Sequence, residues 1–103
     1  MPLTSKQRAQ LRAMAATEDT IIHIGKGGIT ENVILQVKGA LSAREIVKGK
    51  ILENSMLTSK EACAALAEEC KAEPVQVIGS KFVLYKRNEQ KPKIELIKDA
   101  KKK

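Results

Sequence analysis

The sequence predicts one compact α/β domain, with element order α-β-α-β-α-β-β and three helices around a four-stranded mixed sheet. Three observations predict it. Helix-start residues recur at Thr4, Thr30 and Thr58, and apolar residues at helical spacing follow each of them. Short β-branched runs stand between these segments. Near the end, Gly79-Ser80-Lys81 separates two apolar runs in the manner of a hairpin.

The first helix opens at Leu3-Thr4-Ser5-Lys6-Gln7. Thr4 and Gln7 stand in the S/T-x-x-E/Q relation, in which each side chain satisfies a backbone N–H left free at a helix start. Leu11, Met14 and Ala15 give its buried stripe, Arg8 and Arg12 lie one turn apart on a flank, and the helix should end near Thr17. Thr20–Ile24 is short and β-branched and reads as a strand. Gly25-Lys26-Gly27-Gly28 is then a tight loop. Thr30 suits the N-cap and Glu31 the positive first turn of a second helix, whose apolar face is Val33, Ile34, Val37 and Leu41.

A second strand is predicted over Arg44–Leu52, centred on Ile46 and Val47. Strand side chains alternate, so Lys48 and Lys50 share a face. Thr58 and Glu61 repeat the capping pattern and start a third helix that runs to about Cys70. Its inner face is Ala62, Cys63, Leu66 and Cys70, and Glu68 and Glu69 face solvent. Pro74 rules out further helix. Val75–Ile78 and Phe82–Tyr85 are the hairpin strands. The two β-α-β crossovers imply parallel pairing, to which the hairpin adds an antiparallel strand. Residues 1–87 should form the domain and residues 88–103 a flexible basic tail.

Composition narrows the function. Hydrophobic residues make up 43% and charged residues 30%, the balance of a soluble globular protein. No run of about 18 apolar residues could span a membrane. Met1–Lys6 lacks the apolar stretch of a signal peptide, so a cytoplasmic location is expected, and the chain is expected to act as a monomer. Cys63 and Cys70 on one helix would lie about 10.5 Å apart along its axis, beyond the roughly 7 Å that a disulfide allows. They are expected to pack as small apolar thiols. His23 is the one histidine and no Cys-x-x-Cys pair exists, so neither a metal site nor another cofactor is expected.

The net charge is +7, which points to a polyanionic partner. Its distribution matters. From Arg87 to Lys103 seven Lys/Arg face three Asp/Glu, so more than half of the excess lies in the tail. The body is mildly basic, and a binding face there must come from local clustering.

Gly25-Lys26-Gly27-Gly28, between a strand and a helix, is the leading functional motif. Phosphate binding needs outward backbone N–H groups and close approach of the chain, which glycine permits, and a following helix start adds positive potential. A Gly-x-x-Gly loop of this kind clamps nucleic-acid backbones in KH domains. The alternative is a turn that needs positive φ and nothing more. No Gly-Lys-Ser/Thr follows, so this is not a nucleotide P-loop. Arg8, Arg12, Arg44, Lys48 and Lys50 could form a phosphate-tracking patch or be ordinary solvated charge. Phe82 and Tyr85 are the sole aromatics, which favours backbone and shape recognition over base stacking. His23 reads as a structural strand residue, no serine or cysteine has an evident base partner, and no catalytic activity is expected.

Several of these segments resemble the CRM domain, named for chloroplast RNA splicing and ribosome maturation, and in particular its single-domain bacterial YhbY-like members. They are Leu3-Thr4-Ser5-Lys6-Gln7-Arg8, Ile24-Gly25-Lys26-Gly27-Gly28-Ile29-Thr30-Glu31, Arg44-Glu45-Ile46-Val47-Lys48, Val75-Gln76-Val77-Ile78-Gly79 and Val83-Leu84-Tyr85. The resemblance covers about Leu3 to Arg87. It implies a fold similar to the C-terminal domain of bacterial translation initiation factor three. It also implies RNA binding through Gly25, Lys26, Gly27, Gly28 and adjacent basic surface, and association with ribosomal RNA in large-subunit precursors. The glycine of Lys48-Gly49-Lys50 stands where relatives often carry a β-branched residue and is expected to soften that strand. The rival is a protein–protein adaptor whose glycine loop is only a turn and whose basic tail adheres to nucleic acid non-specifically.

Overall fold

The computed structural model describes residues 3–87. The expected flexible tail, residues 88–103, lies outside the described residues. The elements are α1 (Ser5–Ala15), β1 (Ile22–Ile24), α2 (Glu31–Arg44), β2 (Ile46–Ile51), α3 (Ser59–Cys70), β3 (Glu73–Ile78) and β4 (Lys81–Tyr85). The three threonines cap the three helices. The Gln7 N–H donates to Thr4 Oγ1 at 3.1 Å and the Thr4 N–H to Gln7 Oε1 at 3.1 Å, and Thr58 and Glu61 make the same reciprocal pair. Thr30 Oγ1 accepts from the Val33 N–H at 3.2 Å. Each cap of this kind stabilises its helix by about 1 kcal/mol.

Arg44 does not open the second strand. It closes α2, and Glu45 follows as a C-cap in the left-handed conformation, φ 66°, its N–H donating to Leu41 O at 2.8 Å. Glycine usually marks such a cap. With glutamate there, the local sequence carries no stop signal, and the β-branched pair after it draws the strand reading forward.

The sheet order is β1-β2-β4-β3. β1 pairs parallel with β2, while β4 is antiparallel to both β2 and β3. The second crossover therefore does not bring β3 beside β2. The hairpin folds inward, and β4 takes the place between them. The reason lies in the two strands. Phe82, Val83, Leu84 and Tyr85 are all buried, so β4 needs cover on both faces, whereas β3 buries Val75 alone of its six residues and exposes Val77 and Ile78. An edge also tolerates Pro74, which lacks a ladder donor.

The sheet has helices on both faces. On one, Ile22, Ile24, Val47, Ile51, Phe82 and Leu84 pack under α2 and α3, against Val37, Leu41, Ala62, Cys63 and Leu66. On the other, Ile46, Val75, Val83 and Tyr85 pack under α1, against Leu11 and Ala15. Cys63 and Cys70 are free thiols within the first cluster, and burial pushes the Cys63 thiol up to about 11.

Gly49 is not a soft point in β2. A Cβ there would lie 2.2 Å from Phe82 Cζ, because the Phe82 ring covers its cross-strand partner. The ring supplies the packing that a side chain at this position would otherwise give.

Candidate nucleic-acid interface

Strand pairing decides which charges meet. In β2, Val47, Gly49 and Ile51 face α2 and α3, so Lys48 and Lys50 face the α1 side. His23 pairs with Lys50, Lys50 with Lys81, and Lys81 with Ile78. Paired residues share a face. His23, Lys50, Lys81 and Ile78 therefore form one row across all four strands, on the side where α1 lies. α1 covers the apolar half of that side and leaves this row open. His23 and Lys81 are exposed, and Lys50 is half-buried.

The glycine loop stands at the same end of the sheet. It follows Ile24, which pairs with Ile51, and the Gly79-Ser80 turn closes beside it, with the Ile51 N–H donating to Ser80 O at 2.7 Å. The Gly28 N–H bonds Gly25 O at 3.0 Å and closes the loop as a tight turn, with Gly28 at φ 69°. Its glycines have different tasks. A Cβ on Gly25 would meet Asn54 Oδ1 at 3.3 Å, and one on Gly28 would meet Leu57 Cδ1 at 3.7 Å. These two positions seat the loop against the β2–α3 connection. Lys26 and Gly27 form the exposed tip. Behind the tip, Thr30 starts α2, whose first turn directs positive partial charge toward this end.

The remaining basic residues are placed elsewhere. Arg8 donates to the Pro74 carbonyl, at the end of β3 away from the hairpin turn. Arg12 is exposed in the last turn of α1. Lys48 Nζ donates to Ala15 O at 3.2 Å and so holds the C-terminus of α1, where a cation is favoured. Arg44 pairs with Glu18 at 3.6 Å. It ends the 14-residue α2, which puts it roughly 20 Å along the helix from the glycine loop. The structure thus joins Gly25, Lys26, Gly27, Gly28 and Lys50, and leaves Arg8, Arg44 and Lys48 engaged in local contacts.

Sequence reasoning missed His23 and Lys81. The alternation Ile22-His23-Ile24 already signals an outward His23. Nothing local puts Lys81 opposite Lys50, because that depends on the register of β4 against β2. Among the described residues no group of His, Cys, Asp and Glu is placed to hold a metal ion, and no helix is long and apolar enough to cross a membrane.

A small α/β domain with helices on both sheet faces, one of them left partly open as a basic row beside a glycine loop, has the build of a polyanion-binding module. The chain belongs to the CRS1/YhbY (CRM) domain family, whose model matches residues 3–86. It is 38% identical over 94 residues to the "Probable RNA-binding protein YqeI" of Bacillus subtilis, covering 91% of this chain and 98% of that protein. It is 33% identical to an "RNA-binding protein" of Haemophilus influenzae, over 91% of this chain and 94% of that protein. Its fold is similar to the solution structure of the hypothetical protein SAV1595 from Staphylococcus aureus. The TM-score is 0.77 and the identity 43%, over 93% of this chain and all of that one.

Proposed function

We propose that this protein binds RNA through the glycine-loop end of its sheet and serves, without catalytic activity, as a cytoplasmic assembly factor on ribosomal RNA of large-subunit precursors. The observation that carries the reading is the open row His23–Lys50–Lys81 next to the Lys26-Gly27 tip. Phosphates can follow the row while the loop backbone closes on one of them. The names of the relatives support RNA as the ligand class, and the resemblance of the motifs supports the ribosomal target. Arg12 is a secondary contact at the margin of this face. Arg8, Arg44 and Lys48 contribute mainly to the field around it.

The test is retention on immobilised ribosomal RNA at rising salt, using the full chain and a chain lacking residues 88–103. Deletion removes six Lys and three acidic residues. It should slow association and weaken non-specific adhesion while the body keeps its RNA. Replacing Lys26 and Gly27 together by Asp should abolish retention by the body with the fold intact. Retention lost by tail deletion alone would favour the adaptor reading.

A further inference from the structure

We infer that the groove between the β2–α3 connection and the β3–β4 turn receives an unpaired nucleobase, so that the RNA bound at the glycine loop is single-stranded there. The inference rests on the RNA-binding reading and goes beyond it in naming the form of RNA. The groove has a volume of about 660 Å³, within the roughly 300–1,000 Å³ of sites that hold small organic molecules. Its lining is mixed: Ile51, Leu52 and Leu57 supply apolar contact, and Ser55, Thr58 and Ser80 add hydroxyls, with Ser80 on the hairpin side. It adjoins the glycine loop directly, since Leu52 Cδ1 lies 3.5 Å and Leu57 Cδ1 3.7 Å from where a Cβ would stand on Gly25 and Gly28.

Charge selects the occupant. Lys50 lines the groove, Lys81 follows Ser80 on its rim, and Lys26 stands on the loop beside it, so phosphates are favoured around the opening. Glu53 also lines it. A phosphate inside would meet that carboxylate, whereas a neutral base would not and could offer its amino or imino hydrogens to it. A base in a duplex has both faces stacked and cannot enter a recess of this kind; an unstacked base can. The chain has few aromatics for an open stacking platform. Leu52 and Leu57 in the groove supply apolar contact of a different sort, and the hydroxyls beside them can bond the edge of a base.

The experiment compares a short single-stranded oligoribonucleotide carrying 2-aminopurine with the same strand annealed to its complement, each titrated with the full chain at one salt concentration. Single strand should bind about tenfold tighter than duplex, and the 2-aminopurine emission should change as the base leaves its stack. Leu52→Ser should weaken single-strand binding by about tenfold and leave the salt slope unchanged, because no phosphate contact is lost. Leu52→Met, which keeps the apolar contact, should bind as the wild type does, and an unchanged urea midpoint and circular-dichroism spectrum of Leu52→Ser separate lost contact from unfolding. Equal or tighter binding of duplex, or wild-type single-strand affinity in Leu52→Ser, would overturn the inference and leave the RNA-binding reading standing. Failure of both RNAs to bind would overturn the two together.

Discussion

The two faces of the sheet differ in what they spend their residues on. Under α2 and α3 the strands β1, β2 and β4 contribute apolar side chains, and the space over Gly49 is filled by the Phe82 ring. Under α1 the apolar cluster is smaller, and the row His23–Lys50–Lys81 beyond it stays open. A single strand serves both faces. β2 sends Val47, Gly49 and Ile51 one way and Ile46, Lys48 and Lys50 the other. On the second side Ile46 and Lys48 hold α1 and Lys50 belongs to the proposed RNA row, so substitutions at Gly49 and at Lys50 should separate stability from binding.

The largest expected effect is on the closed face. Phe82 is fully buried, and Phe82→Ala should cost about 3–5 kcal/mol of stability in urea denaturation. Gly49→Ala should cost about 1–3 kcal/mol, since the new Cβ displaces the ring. Combining Gly49→Ala with Phe82→Leu should cost less than the sum of the two single changes, because they share one contact. Simple additivity would mean that the ring and the glycine are not coupled.

An intermediate effect is expected on the open face, and in binding alone. Lys50→Glu with Lys81→Glu should weaken RNA affinity by about 1–3 kcal/mol and leave the urea midpoint nearly unchanged. Glu68→Lys with Glu69→Lys, on the exposed side of α3, shifts net charge by the same amount in the opposite direction and should alter affinity little. Salt-matched titrations giving equal and opposite responses would show that net charge alone matters, and the distinction between the faces would fail.

The smallest effect concerns the α3 cap, which belongs to neither face. The Thr58 N–H and hydroxyl hold the Glu61 carboxyl below its ordinary value. Its contribution is present above the unfolded-state value and disappears as pH falls through the folded one. Stability of the wild type should therefore drop slightly more than that of Glu61→Gln between about pH 5 and pH 3. Parallel curves would show that the carboxylate charge adds nothing to the cap.

The sequence by itself determined the local features of this protein. The capping threonines marked three helices, the alternation around Lys48 and Lys50 put them on one face, and glycines separated β1 from α2. These are readable because they depend on residues a few positions apart. The tertiary structure alone decided which strands are neighbours. β4 lies between β2 and β3 because its four buried residues need cover on both faces, and that placement sets Lys81 opposite Lys50. Gly49 and Phe82, distant in the chain, become one packing unit for the same reason. Arg44 looks like the start of a strand because a glutamate, not a glycine, takes the left-handed cap after it, and folding leaves it paired with Glu18. Local periodicity is written in the chain, but register between strands is chosen by the competition of whole faces for burial, and the basic row exists only once that choice is made.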